Sequence, residues 1–124
     1  MSTETDANNQ VWFVYSGLDR NEISRNATHF RVASSVTEIP AKAFEDFENL
    51  LEVILQEGLV VIGAWAFCYT SITEIEIPST VVEIRKHAFH SCFHYGNSSF
   101  MFLIMETVQK DSAKKEILLV FVTN

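Results

Sequence analysis

The sequence predicts an α/β fold built as a short solenoid, with parallel β-strands joined by helical or 3₁₀ turns, about three repeats and a cap at each end. Three observations lead there: a dipeptide that returns every 22 or 23 residues, aliphatic columns that return with it, and an alternating apolar segment between the copies. Regular self-similarity at this period marks units that cannot bury their own apolar face and must stack to do so.

The dipeptide is Ala-Phe, at Ala43-Phe44, Ala66-Phe67 and Ala88-Phe89, with separations of 23 and 22 residues. Five residues before each Phe stands an isoleucine (Ile39, Ile62, Ile84), and three before that an aliphatic (Val36, Leu59, Val81). Between the units run Leu50-x-x-Val53-x-Leu55 and Ile72-x-x-Ile75-x-Ile77, with a weaker copy, Ala27-x-x-Phe30-x-Val32, one unit upstream. The apolar-x-apolar ending has the period of two of a strand that buries one face, which predicts one strand per repeat. The Ala-Phe segment lacks that alternation and suits a tight helical or 3₁₀ turn that plugs Phe into the core. Phe67 then has neighbours on both sides, so truncating it should cost more than truncating Phe44 or Phe89.

The ends are read from where the period starts and stops. Residues 1–25 form a polar, acidic tail followed by a cap strand at Val11 to Tyr15, a β-branched and aromatic run closed by Ser16-Gly17. Residues 26–95 hold the repeats. Continuing the period would place Asn97 and Ser99 in buried columns, so the array stops, and residues 96–124 are a C-terminal cap or a divergent tail. Within them Phe100-x-x-Leu103-x-Met105 and Ile117 to Val122 have strand character.

Composition narrows the function. The chain has 124 residues, 48% of them hydrophobic, with ten Phe, enough for one globular core. A formal charge of -7 would repel a phosphate backbone, which argues against nucleic acid. The N-terminus lacks the basic start and apolar stretch of a secretory signal, so a cytoplasmic location is expected and the sequons at Asn26 and Asn97 would go unglycosylated. The longest apolar run, Phe100 to Met105, is far below the roughly 18 to 20 residues of a transmembrane helix. Cys68 and Cys92 are out of register by two positions, which makes a disulfide awkward and free thiols the expectation.

The repeat resembles the BspA-like class of leucine-rich repeats, whose units carry Ile-Gly-x-x-Ala-Phe-x-x-Cys and a Leu-x-x-Ile-x-Ile-Pro strand. Ile62-Gly63-Ala64-Trp65-Ala66-Phe67 is similar to the first and Ile72 to Pro78 to the second, over about Asn26 to Tyr95. Pro40 and Arg85 replace Gly, Gln56 replaces Pro, and the Cys column reads Phe47, Thr70, Cys92. The resemblance implies a curved, right-handed leucine-rich-repeat solenoid used for recognition, and it brings no catalytic residues.

Side chains between the buried strand positions point outward in two rows: His29, Glu52, Glu74 and Arg31, Ile54, Glu76. These are the binding-face candidates. Glu52 and Glu74 should stand as lateral like charges, a surface suited to another protein with a basic or mixed face. The alternative chemistry lies in His87, His90 and His94, which on a helix at i, i+3 and i+7 could converge on one zinc ion, with Cys92 on another face. The plainer reading makes Phe89 the core residue and the histidines decoration of an exposed turn. No general-base pair is evident and no cofactor is expected. The sequence thus points to a non-catalytic protein-interaction module, with a metal-binding protein or a fragment of a longer array as alternatives.

Overall fold

The computed structural model describes residues 2–17, 22–72, 75–90 and 92. Its strands are β1 (Thr3–Thr5), β2 (Val11–Tyr15), β3 (His29–Val32), β4 (Glu38–Ile39), β5 (Glu52–Ile54), β6 (Val61–Ile62) and β7 (Glu83–Ile84). They form two open sheets. One has the order β1-β2-β3-β5 and the other β4-β6-β7, and every pairing except β1 with β2 is parallel.

The period seen in the sequence sets the register. Phe30 pairs with Val53 in the first sheet, and Ile39, Ile62 and Ile84 form one row across the second. Burial alternates as a half-buried strand requires: Phe30, Val32 and Val53 face the core while Arg31, Glu52 and Ile54 face solvent. The stretches from Ala27 to Phe44 and from Leu50 to Phe67 therefore carry two short strands each, where the sequence pattern predicts one per repeat. The aliphatic-x-x-Ile segment extends far enough at its Ile to pair laterally, although a strand of two residues is too short to display a period of two. Ile72, Ile75 and Ile77 are buried as their columns predict, while residues 73 and 74 between them lie outside the described residues.

The expected helical or 3₁₀ turns are corrected. The described residues contain strands and turns and almost no helix. In the Ala-Phe segments some amides do close i to i−3 bonds, such as Ala66 N–H to the Gly63 carbonyl and Cys68 N–H to Trp65. The amides between them turn outward to the next unit instead: Lys42 donates to Ala64, Phe44 to Ala66 and Asp46 to Cys68, and one unit on Trp65 donates to Lys86, Phe67 to Ala88 and Tyr69 to His90. Alternate residues can point sideways because Lys42, Asp46, Trp65, Tyr69 and His87 have positive φ, between 57° and 66°. Left-handed residues break a helix into successive turns, and the lateral bonds satisfy the backbone groups that a helix would have satisfied internally.

The core between sheets and turns is one cluster. Phe44 stacks on Phe67 with ring centroids 5.3 Å apart, and Phe67 on Phe89 at 5.5 Å, both nearly parallel. Phe44 also meets Tyr15, Phe30 and Phe47 edge-on, at 5.0 to 5.5 Å, so the aromatic packing continues upstream into β2. β2 was expected as a cap strand and extends the parallel sheet beside β3. The polar tail before it is partly structured: β1 folds back antiparallel onto β2 through a turn in which the Asp6 carboxylate accepts the amides of Asn8 and Gln10. The C-terminal cap or tail, with Phe100 to Met105 and Ile117 to Val122, lies outside the described residues.

Candidate binding face

The outward side of the first sheet is assembled by strand register. Glu4 in β1 pairs with Trp12 in β2, and His29 in β3 pairs with Glu52 in β5. The Trp12 and His29 rings meet edge-on at 4.8 Å, which joins the two pairs into one row, Glu4-Trp12-His29-Glu52. A second row runs Val14, Arg31, Ile54. Four of the six face candidates, His29, Arg31, Glu52 and Ile54, therefore lie together as the alternation predicted. Glu76 is exposed between buried Ile75 and Ile77 but belongs to no assigned strand. Glu74, and with it the expected Glu52–Glu74 neighbourhood, lies outside the described residues.

Several polar side chains on this face have partners. His29 Nε2 lies 3.6 Å from the Glu52 carboxylate, and its Nδ1 lies 2.8 Å from the Thr28 hydroxyl. Arg31 reaches over β2 to Glu4 at 2.7 Å, with both side chains about half exposed. Such pairs are worth little to stability and serve mainly to orient their side chains. The Trp12 indole donates to the Asp6 carboxylate at 2.9 Å, and that bond, with those from Gln10 and Asn8, holds the Asp6 pKa below its usual value. Between the hairpin and β5 these residues leave an open groove of about 490 Å³ lined by Glu4, Thr5, Asp6, Trp12, Arg31, Ile54 and Gln56.

Sequence reasoning missed Glu4, Asp6 and Trp12. The available signal was the Asp6-x-Asn8-Asn9 stretch before a β-branched and aromatic run, a composition that favours a turn entering a strand.

The histidine cluster differs from its helical reading. His87 has φ 57°, so no regular helix runs through His87 and His90. The His87 and His90 rings instead meet edge-on at 5.2 Å and pack with Trp65, at 4.4 and 5.7 Å, while His90 also meets Tyr69. Desolvation first, then Lys86 and His90, lowers the His87 pKa. No group of three or more potential metal ligands occurs among the described residues, and His94 lies outside them. Micromolar zinc is accordingly expected to leave the melting temperature within about 1 °C, since binding to the native state alone would raise it through RT ln(1 + [L]/Kd). A large zinc-dependent rise that vanishes in His90→Ala would establish a site.

Both thiols are free and buried. Burial pushes Cys68 up to about 11 and Cys92 up to about 12, so each stays protonated near neutrality. Cys92 donates to the Phe67 carbonyl at 3.1 Å and lies 3.5 Å from the Thr70 hydroxyl in the preceding unit. A protonated, buried thiol is a poor nucleophile.

No helix among the described residues is long and apolar enough to cross a membrane. No curated protein and no solved structure matches the chain. A family model described as the BspA type leucine rich repeat region matches residues 22–112 in six copies, well over half of the chain and reaching beyond the stretch of about Asn26 to Tyr95 that carries the sequence resemblance. The chain is therefore a member of the BspA-type leucine-rich-repeat family.

Proposed function

We propose that the chain is a short leucine-rich-repeat solenoid that binds another protein and catalyses no reaction. The observation that carries this reading is the outward row Glu4-Trp12-His29-Glu52 beside Val14-Arg31-Ile54. These side chains stand on paired strands whose inward neighbours, Tyr15, Phe30, Val32 and Val53, are buried, so a partner can engage them without disturbing the core. The face mixes an aromatic and an aliphatic anchor with paired charges, a composition suited to recognising polypeptide. The net charge of -7 favours a partner with a basic or mixed surface and disfavours nucleic acid.

A pull-down comparing the wild type with a chain in which Glu52, Glu74 and Glu76 are reversed to Lys tests this. The reversed chain should retain its circular dichroism spectrum and capture its partner at least tenfold less well, with the wild-type association weakening as salt rises. Unchanged capture by a folded variant would move the site to the turn surface, where Trp65, Tyr69, His87 and His90 form the other ring cluster.

A further inference from the structure

The groove at the hairpin end of the binding face has a definite chemistry. Its Asp6 charge is fixed in place, because one carboxylate oxygen accepts the Asn8 and Gln10 amides and the other accepts the Trp12 indole. The same bond holds the indole against the groove wall. Arg31, the cation of the lining, is neutralised by Glu4 at 2.7 Å. The aliphatic end is Ile54, 40% exposed on β5 although its strand neighbour Val53 is buried. The lining thus offers an anchored carboxylate beside an aromatic π-system at one end and an uncovered aliphatic side chain at the other.

The two ends are separated by a distance that strand geometry sets. Trp12 and Ile54 stand two strands and two residues apart, which is roughly 12 Å for strands about 4.8 Å apart with a rise of about 3.3 Å per residue. An extended peptide covers that in about four residues, with the first and fifth side chains on the same side.

We propose that this groove takes an extended peptide segment of the partner in which a Lys or Arg is followed four residues later by an aliphatic residue, the cation beside Trp12 and Asp6 and the aliphatic group on Ile54. The proposal rests on the reading of the outward sheet as the binding face and names the partner's chemistry there. A cation gains from both the carboxylate and the indole. An acidic peptide would have to displace Glu4 from Arg31 and approach Asp6, so the charge arrangement selects against it.

Fluorescein-labelled peptides on a Gly/Ser background test the proposal by anisotropy with the full chain. One carries Lys and Leu four residues apart, a second carries them adjacent, and a third replaces Lys with Glu. The spaced basic peptide should bind at least tenfold more tightly than the other two, weaken with added salt, and shift Trp12 emission in a Trp65→Phe background. Ile54→Ser, a change at an exposed position that leaves the core intact, should reduce its affinity at least tenfold. Preference for the Glu peptide, lost in Ile54→Ser, would overturn the proposed chemistry while leaving the face as the binding surface. Basic-peptide binding indifferent to spacing and to Ile54→Ser would be nonspecific attraction to an acidic chain and would overturn the proposal. Absence of binding by all three peptides would overturn it as well, and the charge-reversal pull-down would then judge the face independently.

Discussion

Phe44→Ala is expected to destabilise the chain at least as much as Phe67→Ala, with a loss on the order of 3 to 5 kcal/mol. Repeat logic alone favours Phe67 as the costlier position, because it has a unit on each side. The packing changes that ranking. Phe44 and Phe67 are both fully buried, but among the described residues the Phe44 ring meets Tyr15, Phe30, Phe47 and Phe67, whereas the Phe67 ring meets Phe44 and Phe89. Aromatic pairs contribute about 0.5 to 1.5 kcal/mol beyond burial, so a ring with more partners leaves a costlier cavity. β2 supplies the upstream neighbour by pairing with β3, and Phe44 is an interior residue as a result. Denaturant midpoints at unchanged m-value would decide it. A mild Phe44→Ala beside a severe Phe67→Ala would mean that β2 and Tyr15 do not form part of the cooperative core.

Gly63→Ala is expected to cost about 3 kcal/mol or more and to lower the melting temperature by roughly 10 °C or more. An added Cβ would lie 2.5 Å from the Ala41 nitrogen, 2.6 Å from the Ile39 oxygen and 2.7 Å from the Pro40 carbonyl carbon. All three are backbone atoms of the preceding unit, so no side chain can swing aside. Relief would require β6 to move away from β4, stretching the Gly63-to-Ile39 bond of 2.8 Å and the Lys42-to-Ala64 bond of 2.9 Å. Gly17→Ala is the control. Nothing lies within 4 Å of its added Cβ, and only its φ of 96° opposes the change, so its loss should be smaller. Equal losses at the two positions would show that close approach between units is not what requires glycine at 63.

Much of the candidate face was legible in the sequence, and the reason is periodicity. His29, Arg31, Glu52 and Ile54 could be placed outward because they alternate with Phe30, Val32 and Val53, and repetition of the same columns sets strand against strand. Glu4, Asp6 and Trp12 could not be placed there. They belong to a hairpin outside the repeat, and only its pairing with β3 brings them alongside Arg31 and His29. Reading residues 1–10 as a polar tail missed this because the strand Thr3–Thr5 is exposed throughout and carries no apolar alternation.

The turns mark the same boundary. Ala43-Phe44, Ala66-Phe67 and Ala88-Phe89 announced compact segments that bury Phe, and Phe44, Phe67 and Phe89 are buried. A helix and a ladder of turns satisfy that pattern equally well, since both place a small residue beside a buried large one. The choice was made by the neighbouring unit, whose carbonyls at Ala64, Ala66 and Cys68 accept the amides of Lys42, Phe44 and Asp46. Those bonds, and the ones that Trp65 and Tyr69 donate to Lys86 and His90 one unit on, hold Lys42, Asp46, Trp65 and Tyr69 in left-handed conformations that none of them favours alone. By itself the sequence determined the period, the buried columns and the outward rows, because these follow from which side chains avoid water. The tertiary structure decided the turn conformation, the second sheet and the hairpin wall of the groove, because these depend on backbone hydrogen bonds between segments that only meet once the units have stacked.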